Sequence, residues 1–231
     1  MKKKLSLLLI AFFLIACQAR PKITNYPQPD LSLDFSPFQT ADPGIFTNLG
    51  CDKIDAPSPL LGGLEPAYPI AYCIINFTPP DGVTTEIETE IKNGLYFFAS
   101  GGLFPQYYRY VIYRDGEFVI IKSEEDFKNV YAPIESPNEA LSYVLAVKRA
   151  GAYFNIEKVQ GYEYEVDALE DTHVVEDGDG YRINLYEYQV FGCGPHWTYL
   201  VIVHLSADGT IQEISHDPVF RDPNEDGLCV D

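Results

Sequence analysis

The sequence predicts an α+β fold, in which an antiparallel sheet, made of a hairpin and a C-terminal meander, carries one or two helices on one face. Three observations predict it. Segments that alternate between apolar and polar residues, the period of half-buried strands, occur before and after a central region. That central region contains two segments with helix start and stop signals. Short clusters of aspartate and glycine, typical of tight turns, separate the strand segments.

A hairpin is predicted in the first half of the chain. Its strands cover residues 107–113 and 117–122, and Asp115 and Gly116 lie between them. This dipeptide favours a two-residue type I′ turn, because both turn residues need a positive φ. One further strand is predicted before the hairpin, near residues 70–77.

Two helices follow the hairpin. The first covers Glu124–Tyr131, with Ser123 as its N-cap, and ends before Pro133. The second starts after the N-cap Ser136, with Pro137 at its first position, where a missing N–H breaks no helical hydrogen bond. Apolar residues recur on one face of this second helix, so we expect it to lie on the sheet.

Five strands then complete the chain as an antiparallel meander. They are predicted at 162–166, 173–175, 181–190, 197–205 and 210–215. This order of strands, then two helices, then a meander is similar to the plan of cystatin-like and PepSY-like domains. The likeness concerns topology only, and it implies no activity.

The N-terminus indicates export. Three lysines at positions 2–4 precede an apolar run at 5–16, which is the pattern of a signal peptide. The run is too short to cross a hydrocarbon core of ~30 Å. It continues as L-I-A-C, and this ending resembles the lipobox of bacterial lipoproteins. The alternative is an ordinary secretory peptide followed by a chance cysteine.

The lipobox resemblance implies a domain organisation. Residues 1–16 are the signal peptide, Cys17 carries the lipid, residues 17–50 form a proline-rich tether, and residues 51–231 form a single α+β domain. Lipoproteins of this class receive a diacylglycerol on the cysteine thiol and usually a further acyl chain on the new N-terminus. In a diderm host, Gln18 favours delivery to the outer membrane, because it replaces the aspartate that commonly retains lipoproteins at the inner membrane.

The charge of the chain excludes several partners. It has 16 lysines and arginines against 34 aspartates and glutamates, a net charge of −18 at pH 7. A chain this acidic is repelled by nucleic-acid phosphates and by anionic lipid headgroups. We therefore expect no nucleic-acid partner, and contact with the membrane through the lipid anchor only.

The four cysteines after Cys17 predict two disulfides, because their number is even and the chain is exported. Three connectivities are possible, and we favour Cys51–Cys73 and Cys193–Cys229, since each pair brackets one contiguous region. A zinc site is the alternative, but the sequence has no C-x-x-C pair. The segment F-G-C-G-P-H around Cys193 invites comparison with the thioredoxin-type C-G-P-C motif. That motif needs a helix after its first cysteine, and here a strand is predicted.

The C-terminus is the best candidate for a metal site. Asp222, Asn224 and Asp226 stand at alternate positions before Gly227, and this spacing resembles the first half of a D-x-N-x-D-G calcium loop. Oxygen ligands at these positions suit a hard cation, although the glutamate of the twelfth position would lie beyond Asp231. The alternative is a set of Asx turns closed by the last cysteine. No other cofactor is predicted.

No catalytic motif points to a reaction. The sequence contains no G-x-S-x-G, H-E-x-x-H, P-loop or G-x-G-x-x-G element, and no catalytic residue is assigned. The leading hypothesis is a cell-envelope lipoprotein that acts as a non-catalytic binding or accessory module for an unknown protein or glycan partner. The alternatives are an envelope hydrolase that uses dispersed carboxylates and a purely structural surface protein.

The aromatic residues bear on this choice. The chain has 17 tyrosines and 14 phenylalanines, and a band of them lies between residues 96 and 113. Exposed, they could stack on sugar rings or anchor a partner; buried, they form core and cross-strand pairs. A cleft with exposed aromatics and convergent polar groups would favour binding. Two buried carboxylates facing one cavity would favour a hydrolase, and a convex surface without a cleft would favour a structural role.

Overall fold

Two antiparallel sheets share one apolar core with the helices that lie between them in the sequence. The computed structural model describes residues 21–76, 86–100, 105–148 and 150–230. The predicted signal peptide and Cys17 lie outside these residues. None of the helices in the described ranges combines the length and the apolar character that a membrane span requires.

The described residues form fourteen strands and five α-helices. The strands are β1 (Lys22–Thr24), β2 (Lys53–Asp55), β3 (Ile70–Asn76), β4 (Phe98–Ser100), β5 (Gln106–Arg114), β6 (Glu117–Ile121), β7 (Glu163–Tyr164), β8 (Ala168–Glu170), β9 (Val174–Asp177), β10 (Gly180–Tyr188), β11 (Gly192–Cys193), β12 (Trp197–Ser206), β13 (Ile211–Arg221) and β14 (Cys229–Val230). The helices are α1 (Ser36–Thr40), α2 (Pro43–Asn48), α3 (Glu86–Lys92), α4 (Glu124–Tyr131) and α5 (Pro137–Val147). Short 3₁₀ turns occur at Pro59–Gly63 and Pro223–Glu225.

Most of these strands belong to two sheets. The N-terminal sheet runs in the order β2–β3–β5, and β4 and β6 both pair with the other edge of β5. The C-terminal sheet has the order β7–β13–β12–β10–β9 and is antiparallel throughout. Two short pairs lie outside the sheets, a parallel one between β1 and β8 and an antiparallel one between β11 and β14. The predicted α+β plan of hairpin, helices and meander is the one observed.

Local signals place the hairpin and the helices where they are predicted. Asp115 and Gly116 have φ angles of 54° and 88°, as a type I′ turn requires. Helix α4 begins with a capping box, in which Ser123 and Asp126 each accept a hydrogen bond from the backbone of the other. Helix α5 begins at Pro137. These elements need contacts over only three or four residues, so the sequence predicts them well.

The core lies between the two sheets and α5. Tyr110 of β5, Val144 of α5 and Val203 of β12 are fully buried in one cluster. The Tyr110 hydroxyl donates to the carbonyl oxygen of Ala146 at 2.9 Å, which satisfies the polar atom that this ring brings into the core. Burial of one aliphatic side chain such as that of Val144 or Val203 stabilises the fold by about 1.5–3 kcal/mol. The cluster therefore holds both sheets against α5.

Residues 21–50 pack on the domain, so the prediction of an extended tether over residues 17–50 is wrong for this part of the chain. Phe38 of α1 and Phe46 of α2 are each only 6% exposed. They lie with Val111 of β5 in an apolar cluster on the face of the N-terminal sheet that points away from α5. The packed part of the chain therefore begins at the first described residue rather than near the first disulfide.

The prolines of this segment begin helices instead of extending the chain. Pro37 and Pro43 lie in the first turns of α1 and α2, where a residue without an N–H loses no helical hydrogen bond. The Asp42 carboxylate caps α2 by accepting from the Gly44 N–H at 2.8 Å. Proline content was therefore the wrong signal for a spacer, because it does not distinguish an extended chain from a series of helix starts.

Two disulfides join the pairs favoured from the sequence. Cys51 is bonded to Cys73, and Cys193 is bonded to Cys229. The first bond links the segment between α2 and β2 to β3 inside the apolar cluster of Phe38. The second links β11 to β14. Because disulfides persist in oxidising compartments, both indicate an exported protein.

Candidate functional site

Two adjoining cavities beside the C-terminal sheet form the candidate site. They share Tyr153 and Tyr188 and have volumes of about 310 and 260 Å³. The first cavity is also lined by Tyr72, Leu145, Lys148, Ala150, Gly151, Tyr186 and Glu187. The second cavity is also lined by Tyr162, His196, Thr198, Phe220, Arg221, Asp222 and Glu225. Together the two cavities form the tyrosine groove.

Tyr153 is a fixed platform in this groove. After α5 the chain returns to the sheet, where Gly151 exchanges backbone hydrogen bonds of 2.7 and 2.9 Å with Tyr186 of β10. The Tyr153 ring stacks on the Tyr186 ring, with centroids 4.9 Å apart and 15° between the planes. The Tyr186 hydroxyl donates to the carbonyl oxygen of Glu170 at 2.5 Å. The backbone of Tyr153 is held in turn by two hydrogen bonds to Thr172, of 2.8 and 2.9 Å.

Tyr188 forms a second fixed wall. It lies at the end of β10, two residues after Tyr186, and it is 39% exposed. Its hydroxyl donates to Glu225 Oε2 at 2.5 Å. This hydrogen bond, followed by burial, raises the pKa of Tyr188 to about 12. The phenol is therefore neutral at physiological pH, and its bond to the carboxylate fixes the orientation of the ring.

Three hydroxyl groups in the groove have no hydrogen-bond partner within the described part of the chain, those of Tyr153, Tyr162 and Thr198. Thr198 is only 4% exposed and lines the second cavity, so its hydroxyl is available to a molecule that enters this cavity. Burial, followed by the carboxylates of Asp222 and Glu225, raises the pKa of Tyr162. Burial also raises the pKa of Tyr153. Both phenols are therefore neutral donors.

Arg221 lines the second cavity with its charge already paired. Its Nε and Nη2 donate to Glu163 Oε2 at 3.0 and 2.6 Å, and its Nη1 donates to Asp226 Oδ2. The guanidinium carbon lies 5.1 Å from the ring centre of Trp197. The second oxygen of Asp226, Oδ1, is buried and has no partner among the described residues. One cation therefore faces two carboxylates, and the local balance is negative.

The structure does not bring Asp222, Asn224 and Asp226 together as calcium ligands. Asp222 Oδ1 accepts from the backbone N–H and the side-chain amide of Asn224 at 2.9 and 2.8 Å, while Asp226 pairs with Arg221. The described residues contain no group of three or more acidic, histidine or cysteine side chains that could hold a metal ion. The loop therefore contains one Asx turn, at Asp222, and Asp226 serves an ion pair rather than a shared cation site.

The motif around Cys193 has a structural role. Cys193 lies in β11 and not at a helix N-terminus, and its thiol is part of the disulfide to Cys229. His196 is 2% exposed, and its Nδ1 and Nε2 lie 2.9 and 3.2 Å from the carbonyl oxygens of Gln189 and Leu228. The imidazole thus connects the end of β10 to the segment before β14, beside the second cavity.

The groove tyrosines are not the ones that stood out in the sequence. In the band between residues 96 and 113, Tyr110 is fully buried, which is the core interpretation of that band. One signal could have indicated part of the groove, because Tyr186 and Tyr188 alternate along a strand and so share one of its faces. Nothing local predicts that Tyr153 joins them, since its position depends on the chain after α5 returning to β10.

Asp171 is fully buried, but it is a structural residue. Its carboxylate accepts from the backbone N–H groups of Tyr26, Asn155 and Ile156 at 2.9–3.1 Å, and from the Asn25 amide at 3.1 Å. Burial by itself would raise the pKa of Asp171, but these hydrogen bonds outweigh it, so the pKa is lowered. The residue ties the N-terminal segment and the chain after Tyr153 to the end of β8.

Glu139 is the other buried carboxylate among the described residues. It is 2% exposed, and its Oε2 accepts from the Glu135 N–H at 2.7 Å, next to the N-cap of α5. Burial raises its pKa, while the bond from Glu135 acts in the opposite direction. Neither Glu139 nor Asp171 is among the residues that line the groove.

No protein-family model matches the chain, and neither a curated protein nor a solved structure was found to be similar to it.

Proposed function

We propose that the protein is a cell-envelope lipoprotein that binds a saccharide in the tyrosine groove without catalysis. The observation that carries this proposal is the pair of Tyr153 and Tyr188, two ring walls that the fold holds in place through Tyr186 and Glu225. Concave, largely preformed cavities with aromatic walls and a few placed polar groups are typical of small-molecule sites. A groove with fixed walls loses little conformational entropy when it binds.

The chemistry of the groove suits a sugar. The face of an aromatic ring packs against the C–H face of a pyranose, and the sugar hydroxyls need both donors and acceptors around them. The groove offers hydroxyl groups without a described partner on Tyr153, Tyr162 and Thr198. It offers carboxylate oxygens on Glu187 and Asp222. An uncharged ligand also avoids the repulsion that a chain of net charge −18 exerts on anions.

The alternative functions fit the described residues less well. A hydrolase that uses dispersed carboxylates needs two buried carboxylates facing one cavity. Asp222 and Glu225 both line the second cavity, but both are partly exposed. The buried carboxylates of the described residues are Glu139 and Asp171, and hydrogen bonds within the fold already engage both. A purely structural surface protein has no use for a groove whose walls are held by specific contacts.

Membrane attachment is the second part of the proposal. The lipobox resemblance assigns the lipid to Cys17, with a diacylglycerol and an N-acyl chain, because a single chain gives only marginal binding. The packed part of the described chain begins at residue 21, only four residues after Cys17. The domain and its groove would therefore lie close to the leaflet that holds the lipid. In a diderm host, Gln18 favours the outer membrane.

Intact mass spectrometry tests the anchor. The mature wild-type chain should begin at Cys17 and carry the mass of a diacylglycerol and an acyl group. Replacement of Cys17 by serine should give uncut or soluble protein. A wild-type chain that is cleaved and unmodified would exclude the lipid anchor and leave the ordinary secretory peptide.

A saccharide panel, followed by calorimetry on the purified full chain, tests the binding function. We expect at least one oligosaccharide to bind the wild type and to bind about tenfold or more weakly to Tyr153→Ala and Tyr188→Ala. Tyr199→Ala is the matched control, because Tyr199 is a half-buried tyrosine of β12 outside the groove. Equal binding by all four proteins would place the ligand elsewhere, and no binding to the wild type would overturn the proposal.

A further inference from the structure

The second cavity of the groove has the composition of a site for an organic cation. Four of its lining residues are aromatic and two are acidic, namely Tyr153, Tyr162, Tyr188, Phe220, Asp222 and Glu225. We propose that this set, the ammonium cage, holds a protonated amine or a quaternary ammonium group of the ligand. The inference rests on the saccharide-binding function proposed for the same groove, and it names the chemical class of the group that is recognised.

The aromatic residues supply the first argument. The faces of aromatic rings carry negative charge density, and they attract an ammonium group that lies within about 6 Å of the ring centre. Tyr162 and Phe220 lie side by side, with centroids 6.1 Å apart and 32° between their planes. Tyr188 is held by its bond to Glu225, and Tyr153 is held by its stack on Tyr186. Recognition of choline and methylated amines by such sets of rings is a general use of this interaction.

Charge supplies the second argument. Arg221, the cation in the wall of this cavity, forms ion pairs with Glu163 and Asp226. Asp222 and Glu225 remain, and their described partners are the neutral groups of Asn224 and Tyr188. An ammonium group would neutralise a negative potential that nothing else in the described part of the cavity neutralises.

An acidic pair alone would not define a site, because carboxylates are common at turns. Thr198 is the independent observation. It is 4% exposed, it lines the same cavity, and its hydroxyl has no partner among the described residues. A hydroxyl oxygen accepts from the N–H of a protonated amine, so Thr198 offers an acceptor to an amine in the cage, whereas a quaternary ammonium group would be held by the rings and the carboxylates alone.

The other end of the groove has no excess of negative charge. Lys148 and Glu187 both line the first cavity, and their opposite charges offset each other there. The excess of negative charge therefore lies at the cage, and the cationic group of the ligand belongs there rather than in the first cavity.

An ammonium group on a ligand of this groove can come from an amino sugar or from an aliphatic amine such as choline. Four probes distinguish these sources on the full chain by calorimetry, at a pH at which the sugar amine is protonated. They are the tetrasaccharides of glucosamine, of N-acetylglucosamine and of glucose, which differ only at the second ring carbon, and choline. We expect the glucosamine tetramer to bind about tenfold or more tightly than either neutral tetramer.

Each result of this comparison decides one of the two claims. Neutral tetramers that bind as tightly as the glucosamine tetramer would overturn the cage and leave the saccharide function intact. Choline that binds while no tetramer does would support the cage with an aliphatic amine as its ligand, and the broader saccharide panel would decide the saccharide function. Binding of none of the four probes would overturn the cage and would leave the broader saccharide panel to decide the function.

Charge-removing variants locate the cation. The double substitution Asp222→Asn with Glu225→Gln keeps the cap and the acceptor for the Tyr188 hydroxyl, so we expect it to fold. It should lower the affinity for the glucosamine tetramer by about tenfold or more and leave the affinity for the neutral tetramers almost unchanged. Glu176→Gln with Asp177→Asn, at two exposed residues of β9 outside the groove, is the matched control, because it removes the same two negative charges. If the control lowers the affinity as much as the substitution of Asp222 and Glu225 does, the net charge of the protein attracts the cationic ligand, and the proposal of an ammonium cage is wrong.

Discussion

The faces of the two sheets that point away from the shared core are covered in different ways. Helices α1 and α2 close the N-terminal sheet with apolar rings, where Phe46 meets Phe38 and Phe118 at centroid distances of 6.0 and 4.9 Å. The C-terminal sheet carries only a small apolar cluster around Leu169 and Val219. The rest of its cover consists of the N-terminal segment and the chain after Tyr153, and hydrogen bonds to Asp171 hold both in place. Hydrocarbon packing excludes ligands from the first face, whereas polar bonds on the second hold rings in place and leave their faces accessible.

The largest expected effect falls on the apolar cover. Phe46→Ala removes a ring that is 6% exposed, and truncation of a buried phenylalanine costs about 3–5 kcal/mol because a cavity remains. Denaturant unfolding with the disulfides intact should show this loss, while saccharide binding under native conditions should not change. A loss below about 1 kcal/mol would mean that α1 and α2 cover the sheet only loosely.

The two disulfides sharpen the comparison, because they close loops of similar length on different faces. Their sequence separations are 22 and 36 residues, for which loop closure gives about 3–4 kcal/mol each. Replacing Cys51 and Cys73 with serine should lower the free energy of unfolding by at least that amount, because both are also buried. Replacing the exposed pair Cys193 and Cys229 should lower stability less and weaken groove binding more. Equal effects of both changes on binding would contradict this division.

The pH dependence of stability tests the contribution of Asp171 to the polar cover of the C-terminal sheet. Its pKa is lowered in the folded protein, so the carboxylate contributes stability above the unfolded pKa of about 3.9, and that contribution is lost as pH falls through the folded pKa. Asp171→Asn should cost about 2 kcal/mol at neutral pH, because backbone N–H groups lose a charged acceptor. Unfolding curves of the two proteins should converge as the pH drops below 4. A constant difference down to low pH would show that shape and not charge matters at this position.

The smallest expected effect on stability is at the groove wall. Tyr188→Phe removes only the hydrogen bond to Glu225 at a partly exposed site, and we expect a change of about 1 kcal/mol or less. Its effect on saccharide binding should be larger than on unfolding, because the ring is no longer fixed. Measured side by side, calorimetry and thermal unfolding would reveal this split. A variant that loses stability without losing affinity would make Tyr188 part of the fold rather than of the groove.

Elements that depend on neighbours in the sequence were predictable. Helix α4 occupies the predicted residues because Ser123 and Asp126 form its cap within one turn. The hairpin follows from the positive φ that Asp115 and Gly116 tolerate. The two disulfides followed from an even number of cysteines in a chain predicted to be exported, and their pairing followed from proximity along the chain.

The packing of the N-terminal segment and the groove were decided only in three dimensions. Phe46 finds its partners in a hairpin far along the chain, so composition alone suggested a spacer. Tyr153 and Tyr188 become walls only because Tyr186 and Glu225 reach them from other elements. The physical reason is one of range. Caps and turns are local hydrogen bonds that a few residues encode, whereas a binding surface depends on long-range strand pairing, which sets the side chains that meet and those that stay free for a ligand.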